Sequence, residues 1–441
     1  MATAENVQLQ RDVATLVLAG GQLALAQPVE GRVFATAFKG RGRLRFAPRL
    51  LLEVQQLRFH SGQASLEAEF TEAVFMFTDN TLEELSRQVN FRSGDATKFQ
   101  KIYWGRNEDL HRYGLSWEPR LLKSLLSEDP ALHAFFVAEL KTQKHGWVSL
   151  IVDEADPEQV ELVQFDRGRR ARNIWSKFPK AGRRPQEAFA HPLGHHEYRL
   201  QGYRLDVTVQ SNAKLEAEAQ VELLLGRAGE RVLLFALDPN LRVSEVTDSA
   251  SRALGFLQPK EHKDRFFLGN YLVVVAPEPF APGPHTLRFR YAGKRIVRKE
   301  GAGTYFCQSF GWYPTYSLGR VSLNTNEFAA RVDFDLTLRV PKKYEAVAVG
   351  SKVEDRKEKK YRVTRWQSEL PLAVAGFAFG DYKVQTEPVG QIQVEVYANR
   401  KPDDLLRGLE IAGAGGDLPS FGGSRIGLPA LGSLAPARLG T

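Results

Sequence analysis

The sequence is poor in sulfur: its 441 residues include one cysteine and two methionines. The lone Cys307 cannot form a disulfide within the chain, so the fold must be stabilised by packing. One cysteine also excludes a metal site built from several thiolates. Cysteine usage leaves the redox compartment open.

Long apolar runs are absent as well. None approaches the roughly 18 residues that a bilayer-spanning helix needs. Near the N-terminus, the apolar stretch Val13–Leu18 follows Arg11 and Asp12 and is interrupted by Gly20 and Gly21. That pattern is typical of a β-hairpin and not of a signal peptide. The compartment is therefore unknown, and a cytoplasmic location is the default expectation.

The positive charge is concentrated in one segment. The formal net charge is +8, and residues 167–184 hold eight cations and no acidic residue, so the rest of the chain sums to zero. The cations are Arg167, Arg169, Arg170, Arg172, Lys177, Lys180, Arg183 and Arg184. A basic run at a domain junction can hold phosphates, but we favour a solvated linker over residues 167–196, and we predict no nucleic-acid partner.

Composition predicts a folded protein of two or three domains, because 43% of the residues are hydrophobic and 441 residues exceed one ordinary core. Residues 1–166 are predicted to form a β-rich domain with a helical insert. The expected strands are Ala14–Leu18, Arg32–Phe38, Arg43–Phe46, Ala73–Phe77, Trp147–Asp153 and Gln159–Phe165, with turns at Gly20, Gly21, Gly40 and Gly42.

Three segments predict the helical insert. Thr81 and Glu84 have the spacing of a capping box, so a helix should begin there. Further helices are predicted over Pro119–Leu126 and Ala131–Lys141, with Pro119 suited to a first turn and Pro130 separating the two.

Residues 197–404 read as many short strands separated by turn residues, which is typical of an antiparallel β-sandwich. In Leu215–Leu223 apolar and polar residues alternate strictly, and Phe328–Val340 shows the same period of two from Val332 onward. The other expected strands are Tyr203–Gln210, Val232–Leu237, Asn270–Val275, Thr286–Tyr291, Glu345–Gly350, Tyr361–Trp366, Leu372–Phe379 and Ile392–Tyr397.

An ordered set of motifs in residues 198–400 resembles the N-terminal β-domain of the aminopeptidase N-like family of zinc metallopeptidases. The motifs are Tyr203–Val207, Gly311–Tyr316, Phe328–Pro341, Gly350, Trp366 and Leu370–Tyr382. The resemblance implies a β-domain that precedes a thermolysin-like catalytic module. It also implies that the first 165 residues are an extra β-domain, as some bacterial members have.

The family's catalytic motif is not found. H-E-x-x-H places two histidines on one helix face to bind zinc, with the glutamate as general base. The nearest string, His196 to Leu200, has leucine at the fifth place, and the Gly-x-Met-Glu-Asn motif is missing. We therefore expect no cofactor and no catalytic residues in this chain, with zinc only in a catalytic module that the chain lacks. His191, His195 and His196 could bind an adventitious metal, but linker histidines are favoured.

One stretch points to ligand contact by analogy with the family. Gln308 is the closest candidate to meet a substrate's free amine, and Trp312 and Tyr313 could shape the pocket wall. The alternative, which we favour, is that these aromatics pack inside the sandwich. Cys307 is predicted to be a buried, inert thiol. Gly301 to Gly303 is predicted to be a hairpin turn rather than a phosphate loop.

The leading hypothesis is a non-catalytic N-terminal portion that scaffolds and covers a catalytic module. Its partners would be that module, a bound peptide, or another copy through the apolar patch left uncovered. The Gly-rich tail, residues 405–441, then reads as a premature or frame-shifted end, or as a natural disordered terminus. The alternative is a stand-alone β-sandwich that binds a peptide or a glycan.

Overall fold

The computed structural model describes most of the chain up to residue 398. The described ranges are 1–29, 31–112, 116–126, 134–156, 158–166, 171–182, 198–226, 228–258, 271–300, 303–307, 311–316, 331–389 and 392–398. Several antiparallel sheets and four helices form these ranges, which confirms the predicted mainly β fold class. None of the helices in the described ranges has the length and apolar character to cross a membrane.

The N-terminal unit is one eight-stranded antiparallel meander in which every strand pairs with the next along the chain. Its strands are β1 (Ala2–Arg11), β2 (Ala14–Leu25), β3 (Ala35–Phe46), β4 (Leu66–Phe77), β5 (Phe135–Thr142), β6 (Gly146–Asp153), β7 (Val160–Asp166) and β8 (Ala171–Phe178). Its helices are α1 (Leu51–Ser61), α2 (Thr81–Gln88), α3 (Thr97–Arg112) and α4 (Glu118–Leu126). Helices α1 and α2 contribute to the core on one face of the sheet, and α3 and α4 to the core on the other.

The predicted glycine turns in this unit are wrong. Strand β2 continues through Gly20 and Gly21, and β3 continues through Gly40 and Gly42, so two predicted strands are one. The pairing register shifts at these places, which marks β-bulges. A Cβ on Gly40 would lie 2.2 Å from the carbonyl oxygen of Gly20. The glycines therefore permit close approach of two bulged strands rather than a change of direction.

Helix α2 begins at Thr81 as predicted, but by another mechanism. No capping box forms, because the Thr81 hydroxyl and backbone N–H both donate to the Asp79 carboxylate. Glu84 instead accepts hydrogen bonds from the guanidinium of Arg11 at 2.9 and 3.3 Å. The long-range pairing of Glu84 with β1 replaces the local cap.

The predicted helix over Ala131–Lys141 is wrong, since Phe135–Thr142 is the central strand β5. Both faces of β5 are buried, with Ala138 and Leu140 in one core and Val137 in the other. Burial on both sides removes the alternation that would identify a strand. Helices α1 and α3 were not predicted.

The predicted basic linker needs a similar correction. Residues 171–178 within it form β8, which pairs antiparallel with β7 and completes the first sheet. The strand takes part in the core through Trp175 and Phe178, while the side chain of Lys177 pairs with Asp156 at 3.2 Å. A segment whose apolar residues are buried in this way is not a solvated linker over that length.

The second unit is built from seventeen strands in the described residues. They are β9 (Tyr198–Val209), β10 (Leu215–Leu225), β11 (Val232–Ala236), β12 (Leu241–Thr247), β13 (Gly255–Leu257), β14 (Tyr271–Val275), β15 (Gly283–Gly293), β16 (Val297–Glu300), β17 (Thr304–Cys307), β18 (Thr315–Tyr316), β19 (Asp333–Pro341), β20 (Glu345–Ala348), β21 (Ser351–Glu358), β22 (Tyr361–Gln367), β23 (Phe377–Gly380), β24 (Lys383–Val389) and β25 (Ile392–Ala398). Strands β16 and β17 pair antiparallel, as the hairpin interpretation of residues 301–303 predicted.

These strands form a sandwich. One layer is a seven-stranded sheet in the order β12-β15-β10-β9-β19-β22-β21, and two four-stranded sheets, β13-β14-β11-β18 and β16-β17-β23-β20, share a single core with it. All strand pairs are antiparallel except β9 with β19. The predicted alternation of Leu215–Leu223 is seen as burial on one face of β10.

Gly350, one of the family-like motif positions, has a backbone reason to be glycine. Its φ is 84°, in the left-handed region that side chains disfavour. A Cβ there would also lie 2.2 Å from the carbonyl oxygen of Gln367 on the neighbouring strand. Glycine at this position therefore allows the left-handed turn between β20 and β21 and the close approach to Gln367.

Helix α4 joins the two units. Its Leu122 and Leu126 pack on Val232, Leu234 and Val273, on the outer side of the sheet that contains β11 and β14.

Polar contacts reinforce this joint. The ammonium of Lys123 lies 3.7 Å from the carboxylate of Glu230, with both side chains buried, and the Tyr271 hydroxyl donates to Glu118 at 3.2 Å. Burial lowers the pKa of Lys123 to about 8, while Glu230 opposes that shift. The joint therefore combines a buried charge pair with the apolar contact of Leu122 and Leu126.

Candidate functional site

The aromatic stretch singled out in the sequence lies inside the sandwich. Trp312 and Tyr313 follow Gly311, whose φ of 80° turns the chain inward, and both side chains are at most 1% exposed. The indole N–H of Trp312 donates to the carbonyl oxygen of Ala375 at 2.9 Å, and the N–H of Ala375 donates to the Tyr313 hydroxyl at 3.0 Å. Both side chains thus form hydrogen bonds with the backbone of Ala375, which belongs to the Leu370–Tyr382 motif.

The other family-like motifs meet the same cluster. Tyr203 stacks on Phe334 with ring centroids 5.2 Å apart and an interplanar angle of 6°, and it meets Tyr313 edge-on at 5.0 Å. Its hydroxyl donates to the carbonyl oxygen of Pro314 at 2.7 Å. Trp312 meets Phe377 edge-on at 5.3 Å. Four motifs that are far apart in sequence therefore share one aromatic core.

The polar groups of this cluster are buried. Burial, together with the neighbouring Tyr313 and Tyr291, raises the pKa of Tyr203 well above its usual range, so its hydroxyl stays protonated and acts as a donor. The polar atoms of Trp312 and Tyr203 both have backbone partners. These hydrogen bonds help to hold the strands in register, while the buried Tyr291 hydroxyl in the same core has no hydrogen-bond partner among the described residues.

Two of the predicted site residues, Trp312 and Tyr313, thus lie in the interior of the sandwich. Trp312 and Tyr313 are packing residues in the described structure, as the favoured alternative expected, while Gln308 lies outside the described residues, as do His191, His195 and His196. Among the described ranges, no three His, Cys, Asp or Glu side chains lie close enough to hold a metal ion.

Cys307 is buried at the end of β17, 4% exposed, as predicted. Burial is the main cause that raises the pKa of its thiol well above the usual value, and Asp238 adds to the effect. A thiol that stays protonated is a poor nucleophile.

We therefore expect Cys307 to resist alkylation in the native protein. Iodoacetamide at pH 8 should label it only after denaturation, as measured by the mass of the intact protein. A native labelling rate equal to that of a free peptide thiol would show that the β17 region opens readily.

Sequence reasoning missed a second buried polar cluster, which lies under α3 and α4 in the N-terminal unit. The Glu139 carboxylate on β5 accepts hydrogen bonds from Arg106 at 2.6 and 2.9 Å, from the Trp117 indole at 3.0 Å and from the Ser149 hydroxyl at 2.6 Å. The side chains of Arg106 and Glu139 are 1% and 0% exposed. The buried guanidinium and carboxylate are paired and hydrogen-bonded, so the cluster connects α3 to the sheet.

A neighbouring ion pair extends the same arrangement. Arg120 on α4 donates to the Asp153 carboxylate on β6 at 2.9 to 3.2 Å, with both side chains buried, and it also donates to the Ser124 hydroxyl. The available signal was a polar residue among apolar strand neighbours, as at Glu139 and Ser149. The arginine partners, Arg106 and Arg120, each lie 33 residues from their carboxylates and could not be assigned by spacing.

Comparison with known proteins gives matches among solved structures alone. No family model and no curated protein matches the chain. The M1 zinc metallopeptidase from Deinococcus radiodurans is 18% identical with a TM-score of 0.35, and the match covers 45% of this chain and 47% of that one. A mutant of that enzyme bound to a Tyr-Ser-Ala substrate is also 18% identical, with a TM-score of 0.35. The match covers 46% of this chain and 47% of that one.

These neighbours are M1 zinc metallopeptidases. This chain spans under half of their length. A two-domain M1 zinc metallopeptidase mutant bound to L-tryptophan matches at 17% identity, with a TM-score of 0.35 and coverage of 45% and 47%. Overlap of this size assigns no activity to the present chain.

Proposed function

We propose that this chain is the non-catalytic N-terminal portion of an aminopeptidase N-like metallopeptidase, and that its second unit scaffolds and covers a catalytic module. Zinc and the catalytic residues would belong to that module. Within this portion, the aromatic core would hold the sandwich rigid enough to support a neighbouring domain.

The observation that carries the proposal is the convergence of the family-like motifs. Tyr203, Trp312, Phe334 and Phe377 come from four separate motifs and lie in one core. Tyr203 stacks on Phe334, Trp312 meets Phe377, and Tyr313 contacts Tyr203, Phe334 and Trp312 and so connects the two pairs. The motifs thus supply part of the core of one β-sandwich, the fold that the resemblance implies. The motifs behave as the determinants of one domain fold, which is what an N-terminal domain without catalytic residues requires.

A second candidate function is binding of a peptide or glycan by the sandwich alone. Tyr305 stacks on Phe379 with centroids 4.9 Å apart, Tyr344 lies beside both, and the Lys343 ammonium is 4.8 Å above the Tyr344 ring. Tyr305 and Tyr344 are partly exposed. Half-exposed aromatic faces of this kind are common in binding sites for sugars and peptides.

The discriminating experiment extends the chain. The DNA after codon 405 should be read in all three frames for H-E-x-x-H with a distal glutamate, and the extended protein should be expressed and assayed on aminoacyl chromogenic substrates. We expect one frame to encode the motif and the extended protein to be active and inhibited by a chelator. Absence of the motif from every frame would favour the binding module.

A further inference from the structure

The sheet β16-β17-β23-β20 carries a row of apolar side chains on its outer face. Four residues lie side by side across its strands, in the order Arg298, Phe306, Ala378 and Val347. The residues before and after Ala378, Phe377 and Phe379, are buried in the sandwich core. Because side chains alternate along a strand, the row faces away from that core. Its three apolar members are partly exposed, and we call the surface that they form the small-sheet face.

The other outer faces of the sandwich are occupied differently. The seven-stranded sheet presents charged side chains, among which Arg290 donates to Glu218 and Glu245, and Arg365 donates to Asp335. The sheet that contains β11 and β14 is covered by helix α4 of the N-terminal unit. The small-sheet face is therefore the remaining apolar outer face on which a further partner of the sandwich can pack.

The hairpin of β24 and β25 lacks a core of its own. The two strands form a separate two-stranded sheet, and none of their side chains whose exposure is described is buried. Val384 is 42% exposed, and Val394 and Val396 are partly exposed. A two-stranded hairpin without a packed face is only marginally stable, so a partner that covers it would stabilise it.

The hairpin borders the small-sheet face. Gly380 lies two residues after Ala378 on β23 and so on the same side of the sheet, and a Cβ there would lie 3.1 Å from the ring of Tyr382. Tyr397 on β25 meets Tyr382 edge-on, with ring centroids 6.0 Å apart. Strand β25 ends at Ala398, so the chain continues from the border of this face.

The size of the face favours a tethered partner over a free one. Four strands about 4.8 Å apart, each about four residues long, give the face an area of roughly 250 Å². A stable complex of free molecules buries about 800 Å² on each partner, so this face is too small to hold a second copy by itself. A module that continues the same chain is held nearby at an effective concentration of about the millimolar range, so a smaller contact is sufficient.

We propose that the small-sheet face and the β24–β25 hairpin form the surface on which the catalytic module packs. The inference rests on the proposed function, which places such a module after this portion of the chain. Apolar side chains of the module would cover Phe306 and Ala378. In the described residues β25 pairs with β24 alone, so its other edge would accept a strand from the module.

The test measures how fast a cysteine on the small-sheet face reacts with a maleimide. Ala378→Cys is made in the 441-residue chain and in the extended protein that carries the module encoded after codon 405. Val353→Cys is the matched control, because Val353 is 52% exposed on β21, an edge strand of the seven-stranded sheet. Val347→Cys provides a second position on the face, and circular dichroism checks that each variant is folded. Mass spectrometry of the peptide that contains each cysteine quantifies the label.

Ala378→Cys should react readily in the 441-residue chain and at least about tenfold more slowly in the extended protein, since a docked module excludes the reagent. Val347→Cys should be protected in the same way. Val353→Cys should react at the same rate in both proteins.

Four outcomes would overturn the inference. Slow labelling of Ala378→Cys in the dilute 441-residue chain would show that this chain covers the face itself, and slow labelling only at high protein concentration would assign the face to a second copy. Equal rates in both proteins, with the extended protein active and inhibited by a chelator, would refute the docking surface and leave the proposed function standing. Absence of a module from every reading frame would remove the proposed function and this inference together.

Discussion

Replacing Trp312 by alanine should destabilise the second unit by about 3 to 5 kcal/mol, the range for removing a large aromatic from a close-packed core. Trp312 is fully buried, and its indole N–H donates a hydrogen bond to the carbonyl oxygen of Ala375. Its ring meets Tyr313 and Phe377 edge-on. The substitution leaves a cavity where four motifs meet. It also leaves a buried carbonyl oxygen without its donor.

Urea denaturation followed by circular dichroism measures this effect, and Trp104→Ala is the matched control. Trp104 is exposed, so its substitution should change the free energy of unfolding by less than about 0.5 kcal/mol. The loss of stability in Trp312→Phe should lie between those of Trp312→Ala and Trp104→Ala. Phenylalanine keeps most of the side-chain volume but loses the hydrogen bond to Ala375. Equal stability of Trp312→Ala and the wild type would mean that the aromatic cluster does not hold the sandwich.

Replacing Glu139 by leucine should destabilise the N-terminal unit by a similar amount, about 3 to 5 kcal/mol. The cause is the guanidinium of Arg106, which would remain buried without its counter-charge, with the Trp117 indole and the Ser149 hydroxyl also losing their acceptor. Most of the expected loss of stability therefore comes from the uncompensated buried charge of Arg106, and less comes from the lost attraction between the two groups.

The double variant Glu139→Leu with Arg106→Met separates these terms. It removes both charges and fills the space with apolar atoms, so it should recover most of the lost stability, as replaced buried ion pairs often do. Unfolding of all three proteins in urea gives the comparison. A double variant no more stable than Glu139→Leu alone would show that the pair is needed for the packing of α3 on the sheet.

Strands with one buried face could be predicted from the sequence. In Leu215–Leu223 each apolar residue faces the core and each polar residue faces away, so the pattern records the burial directly. The same holds for Phe334, Leu336 and Leu338 on β19. Local alternation is sufficient to predict a strand where one side of its sheet is solvated.

Elements fixed by distant partners could not be predicted. Strand β5 is buried on both sides and so lacks the alternation of a half-buried strand, and its state depends on its pairing with β4 and β6. The Gly40 bulge depends on contact with Gly20. Helix α1 buries Leu57 but exposes Leu51, Leu52 and Phe59, so a search for a core-facing apolar stripe passes over it.

The role of the singled-out aromatic residues could not be decided from the sequence. The sequence singled out Trp312 and Tyr313 as either pocket wall or packing, and the contacts with Ala375 and Tyr203 show packing. Aromatic residues in a strand-rich chain are compatible with both roles. Which role an aromatic residue has depends on its neighbours in the folded structure, and the spacing of residues in the sequence does not identify those neighbours.

The most direct test of the proposed non-catalytic role is hydrolysis by the purified chain itself. The family route needs a metal-activated water and a carboxylate base, and this sequence has no H-E-x-x-H to supply them. The chain, with added zinc, is incubated with a panel of aminoacyl chromogenic substrates, with and without a chelator. The proposal predicts rates equal to buffer in every case. Turnover that rises with protein concentration and disappears with chelator would contradict it, and would direct attention to His191, His195 and His196.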